Sequence, residues 1–551
     1  MSATAGSDRA VPSDLVCAAP PSAPLRPTSV VGTPLTRLAE SAGAAVPGGA
    51  SGADPLVTGV TLRAQQVLPG DLFAALPGAR AHGAAFTADA AARGAVAVLT
   101  DPAGAAAVAA GGPGSAGADL PVLVTQDPRA VLGEVAATVY GRPSEKTAVI
   151  GITGTSGKTT TCYLLEAALA AGGLHPGLVG TVQIRIDGTA TPSSLTTPEA
   201  PDLQALFAVM VERGARAVAM EVSSHALSLG RVAGTRFAVG GFTNLSQDHL
   251  DFHPDMESYF RAKALLFDGR ADTGVVQIDD EHGRRLAAEH PGVITVSGTD
   301  RPEADWAVLA VEAAAAGHQQ VRVRAPGERT VSFDLALPGA FNVANAVLAL
   351  ACVSAGTEVP LPVAASALSS VVVPGRMERV DAGQDFLVLV DYAHKPAAVA
   401  AVLEAASRGM NGRLIVVLGA GGDRDPGKRP AMGEQAAVWA DLVVITDDNP
   451  RSESPAAIRR AVLAGATHPA TPRRRPGGVE IREVGDRHEA IRVAVGAAGT
   501  GDVVVIAGKG HEEGQDVAGV VHPFSDRLEA LAALTELAER SGRSGRAGDV
   551  A

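Results

Sequence analysis

At 551 residues the chain exceeds what one hydrophobic core sustains, and two to four domains are expected. A hydrophobic content of 46% against 19% charged residues supplies apolar material for several cores. A formal charge of −13 and an aromatic content of 3% leave neither a basic footprint nor a stacking platform, which excludes a nucleic-acid partner.

Residues 1–35 are rich in Ala, Pro, Ser and Thr without periodicity and read as a disordered extension. Residues 36–143 alternate short apolar runs with turn signals, including the strands AVAVLT and LPVLVT, and read as a small α/β domain. Residues 144–373 show strands that run into Gly or polar residues and then into helical stretches: TAVIGIT, ARAVAMEV, FAVGGFTNL, TGVVQID and GVITVSG. A second βα series fills residues 374–537, with FLVLVDYAH, RLIVVLGAGGDRD, DLVVITDDNPR and DVVVIAGKGHE each ending in charged or Gly-rich residues. Residues 538–551 read as a disordered tail. The fold class is α/β in three domains: a small α/β N-terminal domain, a central P-loop domain with a mainly parallel sheet, and a Rossmann-like C-terminal domain.

Cys17, Cys162 and Cys352 fit neither a disulfide framework nor a zinc cluster, and no apolar run reaches about 18 residues. A cytoplasmic protein without membrane insertion is expected.

GITGTSGKTT follows the apolar run 148–152 and precedes the helical stretch CYLLEAALAA. In this arrangement backbone N–H groups and a helix N-terminus wrap phosphates. Gly154, Thr155, Ser156, Gly157, Thr159 and Thr160 form the cradle, Lys158 reaches the outer phosphates, and the Thr159 hydroxyl holds Mg²⁺. Ile152 stands where the strict pattern has Gly. ATP is therefore the expected nucleotide. The strand ARAVAMEV delivers Glu221 beside this loop, where one carboxylate plus phosphate oxygens satisfies magnesium; a structural acid at a strand end is the alternative. His249, in TNLSQDHLDFH, is a single histidine, a residue type found in cores and surfaces more often than as a ligand.

GTSGKTT, EVSSH, FTNLSQDHLD, FNVANA, PGRME, DYAH, GAGGDRDPGKR, TDDNPR and GKGHE follow one another in this order. Together they resemble the Mur ligases of peptidoglycan synthesis, over residues from about 57 to about 537. The MurE type, which adds the third residue of the peptide stem, is the branch most resembled.

The resemblance implies that ATP phosphorylates a terminal carboxylate and that an amino-acid amine attacks the acyl phosphate. It makes Glu221 and His249 ligands of two Mg²⁺ ions. Lys263, in SYFRAKALLF, would ordinarily be a solvated helix residue; the resemblance implies a CO₂-derived carbamate there, which turns a cation into a metal ligand. It also implies that Asn342 and Asn345 meet the adenine end of ATP, and that Arg376 and Asp391 close the nucleotide site from the C-terminal domain. DYAHKPAAV departs from the family's DYAHTPD at Lys395 and Ala397.

For the UDP-sugar peptide the resemblance implies Thr196, Thr197, Ser223 and Arg231. The uridine end falls near Leu62, where TLRAQ replaces the usual DSR-containing motif. Asp448, Asn449, Pro450 and Arg451 of DNPR, with Arg424, Gly508 and Glu512, match the constellation that recognises diaminopimelate. Two arginines and a carboxylate are the groups that read its far carboxylate and ammonium. The expected reaction joins diaminopimelate, in the meso form, to UDP-N-acetylmuramoyl-L-alanyl-D-glutamate, carried out by a monomer. A lysine-adding ligase, a folylpolyglutamate-synthase-like ligase and a P-loop switch are the rivals. Catalytic groups on two domains predict closure about a hinge near residues 373–376.

Overall fold

The computed structural model describes residues 25–45, 54–78, 81–110, 117, 119–193, 195–313, 318–408 and 410–548, with backbone alone from 541. Cys17 lies outside the described residues.

Near the N-terminus, strands Gly59–Thr61, Asp71–Ala74, Ala97–Thr100 and Val122–Val124 form a parallel sheet in that order. Helices Leu35–Ala42 and Pro128–Val139 press Leu38, Leu132 and Val135 into its core. Residues 1–24 of the expected disordered extension lie outside the described residues, whereas residues 25–34 are ordered against their neighbours. Arg26 pairs with the buried Asp71 at 3.2 Å, and the Thr28 N–H donates to Glu212 at 2.9 Å, so residues 25–34 strap this domain to the next.

Among the described residues the central sheet has eleven strands, and those from Gly177–Val179 to Trp306–Ala313 run parallel. The strand Ala148–Thr153 lies between Ala217–Glu221 and Phe237–Phe242, well inside the sheet. Parallel strands covered on both faces are apolar throughout, which is why AVIGIT, AVAME and FAVGGF read as strands. Two antiparallel additions, four strands in all, were absent from the sequence reading. Gln319–Ala325 and Arg329–Leu335 extend the sheet antiparallel beyond Trp306, and Gln183–Ile186 pairs with Thr189–Pro192 at the other edge. Helix Ala340–Gly356 is apolar around its circumference and is correspondingly buried, against the P-loop helix Lys158–Ala171.

The C-terminal sheet orders Glu378–Val380, Leu387–Asp391, Val503–Ala507, Leu414–Leu418, Leu442–Ile445 and Glu480–Glu483, parallel except for its first member. Residues 538–548, expected to lack order, instead continue helix Asp526–Gly548, whose Ala530, Ala533 and Leu534 fill one face of this domain's core. Among the described residues no helix is long and apolar enough to cross a membrane, and Cys162 and Cys352 are buried free thiols.

Candidate active site

The loop Gly154–Gly157 leaves the carboxyl end of the strand Ala148–Thr153, the edge at which open α/β sheets bind ligands. Ile152 is a fully buried strand residue paired with Glu221, so the loop begins two residues later and needs no glycine there. The turn begins at Gly154 (φ +145), and Gly157 caps the helix at φ +91. A Cβ on Gly157 would lie 2.5 Å from Asn345 Oδ1, so the asparagine is packed against the loop backbone. Asn345 Nδ2 donates to Asn342 Oδ1 at 3.3 Å, and Asn342 Nδ2 to the Pro338 carbonyl at 2.8 Å; both residues are buried.

The rest of the loop is tied to the segment TNLS. Thr155 N–H and Ser156 N–H donate to Asn244, at 2.9 and 3.1 Å. Thr155 Oγ1 stands 3.1 Å from the Tyr259 hydroxyl. Thr159 and Thr160 are buried in the first helical turn.

Lys158 Nζ donates to the carbonyls of Gly154 at 2.8 Å and Thr155 at 3.1 Å. Desolvation pushes this ammonium down to about 8, with Glu221 opposing the shift. Glu221 is 1% exposed at the end of its strand; Oε1 accepts from the Thr181 N–H at 2.8 Å and Oε2 from the Thr181 hydroxyl at 3.0 Å.

Lys263 is not a solvated helix residue. It is 1% exposed, its Nζ donates to the same Gly154 carbonyl at 2.8 Å, and it lies over the Tyr259 ring at 4.5 Å. Burial, with the neighbouring Lys158 and Lys395 ammonium groups, holds it well below the ordinary lysine value. Burial shifts this amine toward the neutral, nucleophilic form, which is the state carbamate formation requires. His249, with its side chain 44% exposed, adopts φ +53 and places Nε2 3.0 Å from Asp248.

Among the described residues no three His, Cys, Asp or Glu side chains converge to cage a metal. The donor set still fits magnesium. Mg²⁺ is held by one or two carboxylates plus substrate phosphates rather than by an all-protein cage, and Glu221 is a buried carboxylate within reach of the P-loop lysine's field.

From the C-terminal domain, Arg376 stacks over the Tyr392 ring at 4.3 Å. Asp391 turns its carboxylate to the N–H groups of Met377 at 2.7 Å and Ala393 at 2.8 Å, bracing the linker between the domains. On the sugar-peptide side, Thr197 Oγ1 donates to the Glu221 carbonyl at 2.9 Å and accepts from the Ser223 N–H at 3.1 Å. Thr196 Oγ1 accepts from Thr181 at 3.1 Å, and Arg231 pairs with Glu199 at 2.9 Å. Leu62 packs against the N-terminal core, with Arg63 exposed beside it.

The DNPR loop meets GKGHE across the C-terminal sheet. Arg451, at φ +51, donates from Nη1 to the Gly422 carbonyl at 2.6 Å, while its main chain bonds Asp516 and Ala518 of the hairpin 514–523. Asn449 Nδ2 donates to Glu512 Oε2 at 2.8 Å. Pro450 precedes Arg451 in the same loop and is buried, whereas Arg424 is exposed in the facing turn. Gly508 (φ +122) brings the main chain so near Asp448 that a Cβ would lie 2.4 Å from Oδ2.

Sequence reasoning passed over three groups here. Lys509 is 0% exposed, with Nζ 2.9 Å from Asn449 Oδ1 and 3.2 Å from Glu512 Oε2. Its place between two glycines directly after a buried strand was the available signal. Arg487 and Asp526, both 0% exposed, pair at 2.7 Å beneath the strand ends. Asp248 and Lys395 form an ion pair across the two larger domains.

A P-loop strand inside a parallel sheet, a half-buried and a buried lysine on one loop carbonyl and a polar C-terminal domain facing them define an ATP-dependent ligase architecture. The comparisons agree: the chain belongs to the Mur ligase family. Residues 56–140 match the Mur ligase family catalytic domain, 152–353 the Mur ligase middle domain, and 375–510 the glutamate ligase domain.

Among its relatives is a Corynebacterium glutamicum protein called UDP-N-acetylmuramoyl-L-alanyl-D-glutamate–2,6-diaminopimelate ligase, 55% identical over 84% of this chain and 88% of the relative. A protein of the same name from Streptomyces avermitilis is 52% identical over 92% of this chain and 97% of its own. A solved structure of a ligase of that name is similar at a TM-score of 0.63 and 30% identity, covering 92% of this chain and 99% of the other.

Proposed function

We propose that this protein joins diaminopimelate, in the meso form, to the D-glutamate carboxylate of UDP-N-acetylmuramoyl-L-alanyl-D-glutamate, with ATP as the driving nucleotide, in the cytoplasm. The observation that carries the reading is the Arg451 site. Its guanidinium and the Glu512 carboxylate stand at the strand ends of the C-terminal domain, a cation and an anion suited to the far carboxylate and ammonium of a two-ended amino acid. The relatives named for diaminopimelate support the same choice over lysine.

In this reading the loop Gly154–Thr160 cradles the phosphates, and Lys158 offsets charge on the transferring phosphoryl group. Asn342 and Asn345 receive the adenine end, while Arg376 and Asp391 shape the site from the C-terminal domain. Thr196, Thr197, Ser223 and Arg231 hold the sugar peptide so that its carboxylate reaches the outer phosphate. Leu62 lies at the uridine end.

Thr159, Glu221, His249 and a carbamylated Lys263 would hold two Mg²⁺ ions, which when bound neutralise phosphate charge. As an ammonium, Lys263 has only donors; as the neutral amine favoured by its burial it can take up CO₂ and present oxygen ligands.

The test is mass spectrometry of the products from ATP, the dipeptide nucleotide and each candidate amino acid. Amide formed with diaminopimelate and not with L-lysine is expected. Equal or better turnover with L-lysine would sink the assignment.

A further inference from the structure

The turn after the strand Leu387–Asp391 reads DYAHKPAAV. Its lysine reaches out of its own domain. Lys395 Nζ forms an ion pair with Asp248 Oδ2, on the central domain and 147 residues away in sequence, and each side chain is 17% exposed.

The same Oδ2 lies 3.0 Å from His249 Nε2, so one carboxylate oxygen is shared between a cation of the C-terminal domain and the histidine beside the P-loop. His249 itself holds a left-handed backbone conformation, φ +53, that non-glycine residues adopt only when their surroundings impose it. Tyr259 and His225 flank its ring, with centroids 6.0 and 4.9 Å away, and neither supplies a hydrogen bond that would fix the ring's rotation. The ring's close polar contact is Asp248 Oδ2, 3.0 Å from Nε2.

An exposed ion pair contributes little, but a half-buried, charge-assisted one between two domains fixes both a side chain and a domain contact. We infer that Lys395 is a positioning residue: through Asp248 it fixes the His249 ring at the mouth of the phosphate loop and seats the DYAH turn against the central domain. The inference rests on the ligase reading above. Because the phosphate loop itself is built from the central domain's own backbone, losing Lys395 impairs turnover far more than nucleotide binding.

The experiment is a double-mutant cycle with Lys395→Met, Lys395→Arg, Asp248→Asn and the Met/Asn double variant of the full chain. It follows amide formation, equilibrium binding of a non-hydrolysable ATP analogue and the unfolding midpoint. Lys395→Met is expected to lower kcat about tenfold with analogue affinity within about twofold, and Lys395→Arg to recover most of the loss. Asp248→Asn should cost as much, and the double variant no more than the slower single.

Turnover of Lys395→Met within twofold of the parent, no rescue by arginine, multiplicative losses in the double variant, or a collapsed unfolding midpoint would each overturn the inference. Amide formation by the parent chain with an indifferent Lys395→Met sinks this inference alone. Absence of amide from the parent sinks the ligase reading instead.

Discussion

Lys509 Nζ donates to Asn449 Oδ1 at 2.9 Å, joining the loop after one C-terminal strand to the loop after another. Asn449 in turn donates through Nδ2 to Glu512 Oε2, and Lys509 reaches that same oxygen at 3.2 Å. Both donors therefore converge on one oxygen of the carboxylate and hold that oxygen in place. Replacing Lys509 by Met keeps the packing volume and removes the anchor. The KM for diaminopimelate should rise by about tenfold or more while ATP-analogue affinity stays unchanged, since an imprecisely held group loses most of its selectivity. Phosphate release titrated with diaminopimelate reads the change; an unchanged KM counts against the anchoring role.

Arg451→Ala should act on the same substrate more strongly. The guanidinium is held by the Gly422 carbonyl at 2.6 Å, so it is oriented before any ligand arrives. Removing one charged partner of a desolvated pair costs about 2–5 kcal/mol, or roughly thirtyfold and upward in KM. A variant that lost ATP-analogue binding instead would place Arg451 outside the amino-acid site.

Gly157→Ala tests the phosphate cradle. Both the left-handed φ of +91 and the 2.5 Å approach of Asn345 Oδ1 forbid a side chain there. The loop must shift, so analogue binding should fall by at least about tenfold, with the unfolding midpoint displaced only slightly. Calorimetric titration with the analogue measures it. Wild-type affinity would mean that the loop does not close on phosphate.

The legibility of these features follows their range in sequence. The parallel strands were readable because burial on both faces makes them continuous apolar runs, and the P-loop because its glycines, lysine and threonines are contiguous. Gln319–Ala325 and Arg329–Leu335 alternate polar and apolar residues and carried a readable signal that was passed over. The helix through residues 538–548 was misread because its Gly and Ser composition mimics a tail, whereas its preceding turns are pinned by Leu534 in the core. Asp248 and Lys395 could not have been joined from sequence, since no local periodicity links positions 147 apart.

Arg487 and Asp526 form a fully buried ion pair, with Nε and Nη2 donating to the two carboxylate oxygens at 2.7 Å each. Nη2 also donates to the Ala507 carbonyl at 3.0 Å, directly below GKGHE. Asp526→Asn leaves the guanidinium charge buried without its counter-charge, which costs about 3–5 kcal/mol. The C-terminal domain should then unfold at a lower denaturant concentration, with Trp439 as a fluorescence probe on that domain. An unshifted transition would show that water reaches the pair.

Stability should also depend on pH through histidines kept neutral. Burial first, and then Lys395 and Lys428, push His394 down to about 3; burial and Arg376 push His511 down to about 4. His225, flanked by His249 and His253, is lowered to about 4 for the same leading reason. Each of these folded-state values lies below the unfolded value near 6.5, so between them the unfolded chain binds the extra proton. The contribution is complete above about pH 6.5 and is lost progressively as pH falls toward the folded values. Each ring gives a slope of at most about 1.4 kcal/mol per pH unit, reduced where solvent reaches it.

Carboxylates such as Asp502, lowered by its hydrogen bonds with Arg413 and Gly499 against the effect of burial, release their contribution only at more acidic pH. Between about pH 6.5 and 5 the histidine contribution is lost, and carboxyls raised by burial, such as Asp71, Glu166 and Asp391, can only offset that loss. The unfolding midpoint should fall across this interval, and His394→Gln should flatten the decline without abolishing it. A midpoint that is level from pH 7 to 5 would mean that these rings are hydrated in the folded protein.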